Sequence, residues 1–456
     1  GAIIVFLSIL SFIFLSFYLF ITPFVAELYQ RPYLVEYMIL LSPAIFLNSF
    51  TLFFARILIA LNSYRKALIN RISDGVFYLV GILFMTSVYG WTVKGMVLGT
   101  LIYSFAYTIG LIILVYSELR KQKIHVRFII ERTYLWELTN LGKYYFASNS
   151  FYDFLRKLDE TILPLFVSNR LFGYYTFAKK LLLRLRFLFA RLSSMLYPTF
   201  SELSETTGLE NVRKFLSRGI SFSLFYIVLI SQLLFIFSQE LIWGVSILLI
   251  DISEFLPTAP LIAIFSFVLI AEAIRVVIFA YHAGLGKVRV ILKANIIGFL
   301  VGLLLIPLFT VYFDIYGYGI YGSAIAYVLA NFAITLWFLY ETNKNEVALS
   351  KTKILLRLCG GFLEAGMIRI LYDMLLLNIG FFQEDQVRII TIMVLSLFYV
   401  FLDFTVMSFL NVLTYEEILL LEKIAGSNRL IKKVVNVVKS LYKISNRTQI
   451  VERNSL

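Results

Sequence analysis

The sequence predicts an all-α integral membrane protein with about twelve transmembrane helices. Three observations lead to this prediction: 60% of the 456 residues are hydrophobic, only 15% are charged, and the apolar residues are gathered in long runs. These runs are about 20 residues long, which is the length that crosses a bilayer core. Soluble globular chains contain about 45–50% apolar and about 25% charged residues. The composition therefore argues against a water-soluble enzyme.

The apolar runs also give the order of the predicted helices. Each run is expected to be a helix, because backbone polar groups inside hydrocarbon need hydrogen-bond partners within the same segment. Glycine or proline stands at or near several predicted ends, as at Gly90, Pro198 and Gly317. The longest predicted outer loop covers residues 240–255. The predicted helices cover residues 2–26, 36–62, 68–90, 95–116, 141–168, 173–198, 217–239, 256–284, 291–313, 320–340, 355–378 and 389–411.

Lysine and arginine predict how these helices are oriented. The even-numbered connections and the C-terminal tail hold 26 of them, and the odd-numbered connections hold 4. Because positive charge marks the cytoplasmic side, we predict a multi-pass protein of the cell membrane with a cytoplasmic C-terminal tail. This topology and attraction to anionic membrane lipids explain the net charge of +13, and no nucleic-acid partner is predicted. The cytoplasmic residues include Lys66, Lys121, Lys214, Lys287 and Arg357.

An internal repeat predicts two parallel lobes around a central cavity. Shifting the chain by 224 residues aligns 62–116 with 286–340, so that Gly95 falls on Gly319 and Tyr103 on Tyr327. Both copies run in the same direction, which indicates an axis along the membrane normal. The predicted units are an N-terminal lobe (1–116), a cytoplasmic linker (117–140), a C-terminal lobe (141–340), an additional helix pair (341–411) and a basic cytoplasmic tail (412–456).

Charged residues inside the predicted helices mark a candidate site. Each one costs about 2.5–3.5 kcal/mol at the centre of a membrane helix. At 100° per residue, Lys180, Arg184 and Arg191 lie on one face of helix 173–198, and Lys179 and Arg186 form a second stripe. Because no acid lies between residues 173 and 198, this positive charge indicates an anionic substrate. Arginine and lysine are the side chains that bind phosphate.

Helix 141–168 leaves two interpretations open. Asp153, Asp159 and Glu160 nearly balance Arg156 and Lys157, so these residues form either structural ion pairs or part of a site. Asp159 and Glu160 are candidates for ion coupling, together with Glu272 and Asp74. The complete set of candidate substrate-binding cations is Arg184, Lys180, Arg191, Arg186, Lys179, Arg156, Lys157, Arg56 and Arg275. One cysteine and two histidines are too few for a metal cluster, so no metal or cofactor is predicted.

Three short sequence stretches resemble a known family. They are Asp159-Glu160-Thr161-Ile162-Leu163-Pro164, Gly173-Tyr174-Tyr175 with Ala178, and Leu196-Tyr197-Pro198-Thr199-Phe200-Ser201. Together they resemble the helix pair of polysaccharide-biosynthesis flippases, in the multidrug/oligosaccharidyl-lipid/polysaccharide exporter superfamily. This resemblance implies a transporter, not an enzyme, that moves a polyprenyl-diphosphate-linked oligosaccharide across the cell membrane by alternating access. It also implies membrane lipids as partners and coupling to a proton gradient, a sodium gradient or the membrane potential.

The resemblance also implies which helices form the cavity. Members of this family begin with two further helices, so the first helix here corresponds to their third and the N-terminal lobe lacks two. Helices 355–378 and 389–411 correspond to the additional pair. The cavity helices would be 36–62, 141–168, 173–198 and 256–284, which carry Arg56, the charged residues described above and Arg275.

Three other functions remain open on the sequence. A multidrug exporter of the same superfamily would need acids for cationic drugs, whereas the predicted cavity helices are net basic. A membrane polysaccharide polymerase would need a large outer loop or outer catalytic carboxylates, and residues 240–255 are too few for an active-site domain. A scaffold without transport activity would leave the cations of helix 173–198 unexplained.

Overall fold

The chain folds into long α-helices. The computed structural model describes residues 2–61, 63–90, 92–123, 132–206, 208–248, 252–344, 351–378 and 385–409, and these residues contain no β-strand. Two short 3-10 helices cover Leu163–Leu165 and Ser253–Thr258. The α-helices are α1 Ala2–Leu28, α2 Leu34–Ala60, α3 Tyr64–Val88, α4 Val93–Lys121, α5 Arg132–Ile162, α6 Asn169–Thr206, α7 Leu209–Ile236, α8 Ser238–Leu248, α9 Ala259–Gly284, α10 Val288–Asp314, α11 Gly319–Lys344, α12 Lys351–Asn378 and α13 Asp385–Phe409.

Each of the twelve predicted spans coincides with one long helix, and two details were wrong. The region 240–255, expected to be a loop, contains most of α8 and the start of a 3-10 helix. Helix α6 continues through Pro198 to Thr206, past its predicted end. A proline inside a helix removes one backbone hydrogen bond, and the remaining bonds of this long helix continue on both sides of it.

Seven helices of the described chain are long and apolar enough to cross a membrane: α1, α2, α4, α7, α9, α10 and α11. The protein is therefore a multi-pass membrane protein. Helices α3 and α13 contain shorter apolar stretches, Ser73–Val88 and Val394–Asp403. Helices α5 and α6 are long but carry many charges. The count of twelve membrane crossings consequently stays a prediction.

The chain divides into two compact units, of which the first is Gly1–Gly142. Helices α2 and α4 pack together here around Leu58 and Leu111, and α3 packs on α4. The close contact of α3 with α4 requires glycine, because a Cβ added to Gly99 would lie 2.7 Å from the carbonyl oxygen of Gly81. Glycine lets two helix backbones approach each other directly.

The second unit, Lys143–Leu456, is built around α9. Helices α6, α7 and α11 all pack on α9, and α9 is buried along nearly its whole length. The charged side chains of Glu272 and Arg275 on α9 are therefore held inside protein, as charges in membrane helices require. A second core, where α12 and α13 pack on α7, contains Ile236, Tyr372 and Tyr399.

The two segments of the predicted repeat form similar helix pairs, α3–α4 and α10–α11. In each pair the matched glycine lies at the start of the second helix and touches the first. A Cβ on Gly95 would lie 2.9 Å from the carbonyl oxygen of Met85, and one on Gly319 would lie 2.8 Å from Asp314 Oδ1. The repeat and the predicted lobe boundaries stay predictions.

Candidate functional site

A cavity of about 250 Å³ lies between helices α5, α6, α9, α10 and α11 of the second unit. Both charged or polar side chains and apolar side chains line its wall. The lining residues are Asn149, Tyr152, Arg186, Glu272, Arg275, Val276, Phe279, Asn295 and Phe338.

Two arginines share one carboxylate in the wall of this cavity. Arg186 Nε lies 2.9 Å from Glu272 Oε1. Arg275 donates from Nη2 to Glu272 Oε2 and, over 2.7 Å, to the hydroxyl oxygen of Tyr152. Both guanidinium groups also lie over the Tyr152 ring, 4.8 Å and 4.5 Å from its centroid. Tyr152 thus fixes the positions of both arginines through cation–π contacts.

The charges of this cluster do not cancel. Arg186 and Arg275 are both protonated, since guanidinium does not lose its proton in proteins, and Glu272 supplies one negative charge. The described part of the cavity wall therefore carries one surplus positive charge. A guanidinium group binds carboxylate or phosphate oxygens through paired N–H donors. The cluster can therefore bind an anion.

The cavity extends from the middle of α9 towards one end of the helices. Glu272 lies about 18 Å from the C-terminal end of α9 at 1.5 Å per residue. Among the other lining residues, Phe279, Asn295 and Phe338 lie nearer the ends where α9 and α11 finish and α10 begins. The nearby Asn295 side chain donates to Ser148 Oγ over 2.8 Å.

Lys179 forms a separate, fully buried ion pair. Its Nζ lies 2.6 Å from Asp159 Oδ1 and 3.2 Å from Glu160 Oε1, and it donates to the Arg156 carbonyl oxygen over 2.6 Å. Lys179 and Asp159 are both 0% exposed. The Tyr175 hydroxyl donates to the other oxygen of Asp159. Because its donors are engaged and its side chain is enclosed, Lys179 is positioned to hold α6 against α5.

The structure gives the other predicted residues different surroundings. Arg156 pairs with Asp153 at 3.2 Å and Lys157 with Glu160 at 2.8 Å, in both cases three residues apart. Lys180 and Arg184 are exposed and do not line the described cavity. The Tyr103 hydroxyl donates to Asp74. The side chains of Arg56 and Arg191 lie outside the described residues.

Of the seven predicted cations whose side chains the structure describes, Arg186 and Arg275 line the cavity. The inference that helix 173–198 lacks counter-ions was wrong for Lys179 and Arg186, because their acids come from α5 and α9. Tyr152 and Asn295 also line the cavity and were not among the predicted site residues. An uncharged tyrosine among 29 gives no signal in the sequence.

Comparisons with known proteins agree with the fold and with the predicted resemblance. Among solved structures the chain is similar to lipid II flippase MurJ in its inward closed conformation, with a TM-score of 0.67 and 16% identity over 89% of this chain and 82% of that chain. At this identity the similarity shows a shared fold. No curated protein matches the chain. The profile of a family described as polysaccharide biosynthesis protein matches residues 2–250, more than half of the chain. The chain therefore belongs to this polysaccharide biosynthesis family.

Proposed function

We propose that this protein moves a polyprenyl-diphosphate-linked oligosaccharide across the cell membrane by alternating access, without covalent chemistry. The observation that carries the proposal is the pair of arginines, Arg186 and Arg275, around a single carboxylate in the cavity wall. Two guanidinium groups can bind the oxygens of a diphosphate bidentately. Membership of a polysaccharide biosynthesis family and a fold shared with a lipid II flippase support this choice of substrate class.

The size of the cavity favours the diphosphate as the part of the substrate that binds inside it. Its volume of about 250 Å³ is below the range of pockets that enclose drug-sized ligands, about 300–1,000 Å³. A diphosphate is compact enough for such a space, whereas an oligosaccharide and a prenyl chain are not. We infer that the prenyl chain stays in the bilayer.

Glu272 is the counter-ion that the substrate must replace. It neutralises part of the charge of Arg186 and Arg275 and so lowers the cost of burying them. A diphosphate that binds the same N–H groups competes directly with this carboxylate. Binding is therefore an exchange of one anion for another, which leaves the arginines paired before and after it.

Replacing Glu272 by Gln is expected to strengthen binding of inorganic pyrophosphate about tenfold or more. The reason is that charge-assisted hydrogen bonds worth about 1.5–3 kcal/mol no longer compete with the ligand. Calorimetric titration of the purified protein measures this affinity. Asp153→Asn removes the same charge from an exposed acid on α5 and is the control. An unchanged or weaker affinity in Glu272→Gln would contradict the exchange.

We propose that the C-terminal tail and the even-numbered connections face the cytoplasm. The cavity then extends from the middle of α9 towards the cytoplasmic ends of α9 and α11, so a precursor made in the cytoplasm reaches the arginines from that side.

Cysteines placed at exposed Lys214 and Lys287, in a Cys359→Ser background, should resist an impermeant thiol reagent in intact cells. A cysteine at exposed Arg170 should be labelled. The reverse pattern would overturn this orientation.

A vesicle assay tests the proposed function. The chain is reconstituted, and translocation of a fluorescent polyprenyl-diphosphate-linked oligosaccharide is compared with that in protein-free vesicles. We expect faster translocation that inorganic pyrophosphate inhibits. Equal rates in both preparations would overturn the proposal. Accumulation of a cationic drug instead would favour a multidrug exporter, and lengthening of the glycan would favour a polymerase.

A further inference from the structure

A second charged cluster lies buried where α12 and α13 pack on α7. Arg357 donates from Nη1 to Asp403 Oδ1 and from Nη2 to the carbonyl oxygen of Phe225, over 3.0 Å in the latter case. The side chains of Arg357 and Asp403 are 1% and 0% exposed. The cluster is separate from the cavity described above, whose lining residues come from other helices.

Three carboxylate oxygens of this cluster are left without a partner. Asp403 Oδ2 and both oxygens of Glu364 are buried and have no hydrogen bond within the described part of the chain. Glu364 lies two turns from Arg357 on α12, so both side chains share one helix face. The nearby Tyr399 hydroxyl donates its hydrogen to Gln232 Oε1 over 2.7 Å. This hydroxyl therefore does not donate to either carboxyl group.

The charge count points to a bound proton. The cluster contains one guanidinium and two carboxyl groups, and an isolated carboxylate away from water is so costly that it takes up a proton instead. A metal cation fits the cluster poorly, because hard cations take about six or more oxygen ligands and the described residues contain no group of three or more metal-binding side chains. Asp403 already has Arg357 as its partner, so the proton belongs to Glu364.

Helix α7 connects this cluster to the cavity. On one side it contacts the cluster through Gln232 and the Phe225 carbonyl. On another side the Ser223 hydroxyl donates to the carbonyl oxygen of Ala273 over 2.7 Å, next to Glu272 in the sequence. The Ser231 hydroxyl likewise donates to α9, at the Ser266 carbonyl oxygen, over 2.6 Å. A shift of α7 would therefore act on both sites.

We propose that Glu364 binds the proton whose uptake and release couple this transporter to a proton gradient. The proton comes from the aqueous phase on one side and leaves to the other as α12 and α13 change their packing on α7. Carboxyl groups inside membrane helices commonly mark such proton paths. The coupling role depends on the proposed transport function, whereas proton binding by Glu364 does not.

The surrounding groups allow the titration to be assigned to Glu364. The charged and titratable groups that act on it are Arg357 of α12, and Asp403 and Tyr399 of α13. Helix α7 contributes the uncharged Gln232. Arg369, further along α12, forms its own cluster with Glu240 at 2.9 Å and Asp373 at 3.1 Å.

Infrared difference spectroscopy of the purified protein tests proton binding without transport. We expect a protonated-carboxyl band that titrates with pH, that disappears in Glu364→Gln and that remains in Asp373→Asn. Asp373 is a matched control because it lies on the same helix but is 46% exposed and paired with Arg369. A band that survives in Glu364→Gln would overturn the proposal. So would failure of both Glu364→Gln and Glu364→Met to fold, because a neutral side chain can replace a neutral glutamic acid.

A transport assay then tests coupling. A pH gradient should accelerate oligosaccharide translocation by the unmodified protein about fivefold or more, and a protonophore should abolish this gain. Glu364→Gln should bind pyrophosphate normally and show no gain. Full gradient dependence in Glu364→Gln would overturn coupling through this residue. If the unmodified protein does not translocate the lipid at all, the proposed function fails, and the infrared result still decides whether Glu364 binds a proton.

Discussion

Replacing Arg275 or Arg186 by Ala is expected to abolish most translocation while leaving the protein folded. Each substitution removes charge-assisted hydrogen bonds to the diphosphate worth about 1.5–3 kcal/mol, a loss of roughly ten- to hundredfold in affinity. Either variant still leaves Glu272 one arginine partner, so no buried carboxylate is left unpaired. Translocation rates in vesicles and the Tm of the purified protein measure the two effects separately.

Two further variants test whether the loss of translocation is specific to the arginines of the cavity. Arg184→Ala removes an exposed cation from the same helix as Arg186 and should translocate normally. Arg186→Lys should be intermediate, because lysine keeps the charge but loses the planar pair of N–H donors. A large fall in Tm, with normal translocation by the fraction that stays folded, would assign Arg186 and Arg275 a structural role instead.

Replacing Lys179 by Met is expected to destabilise the protein by about 3–5 kcal/mol. The substitution leaves Asp159 buried with its charge uncompensated, and breaking a buried ion pair from one side costs about this much. Thermal or denaturant unfolding measures the loss. Lys180→Met, at the exposed neighbouring position, should change stability little.

The double variant Lys179→Met with Asp159→Asn tests the reason for this loss. If the loss comes from the stranded carboxylate, the double variant should be more stable than Lys179→Met alone, and the coupling energy of the cycle should be large. Additive losses would show that the two side chains contribute independently and would contradict the ion-pair explanation.

Most of the long helices were predictable because they contain a clear apolar run and the loops between them carry much of the charge. Helix α8 was not predictable, because its 11 residues are too few for a membrane span and only one residue separates it from α7. Arg357 counted as a cytoplasmic loop cation, yet it lies inside α12 and pairs with Asp403. The counter-ion of Asp403 lies on a different helix, so no pattern along α13 alone predicts it.

The candidate site was predictable only in part, for a geometric reason. Helix periodicity separates Lys179 from Lys180 by 100°, but it cannot tell which of the two faces the protein interior. The structure buries Lys179 and exposes Lys180. Similarly, the counter-ion of Arg186 is Glu272 on α9, and a count of acids along α6 alone cannot find it.

Pyrophosphate binding to two double variants of equal charge tests the central claim most directly. Arg186→Gln with Arg275→Gln removes both cations that line the cavity, and Lys180→Gln with Arg184→Gln removes two exposed cations of α6. Because both variants lose two positive charges, general electrostatic attraction falls equally in them. The first variant leaves Glu272 without its two arginine partners, so the Tm of both variants is measured first. For the folded proteins our account predicts that calorimetry detects near-normal binding in the second variant and none in the first. Equal losses in both, or binding retained in the first, would contradict a diphosphate site at Arg186 and Arg275.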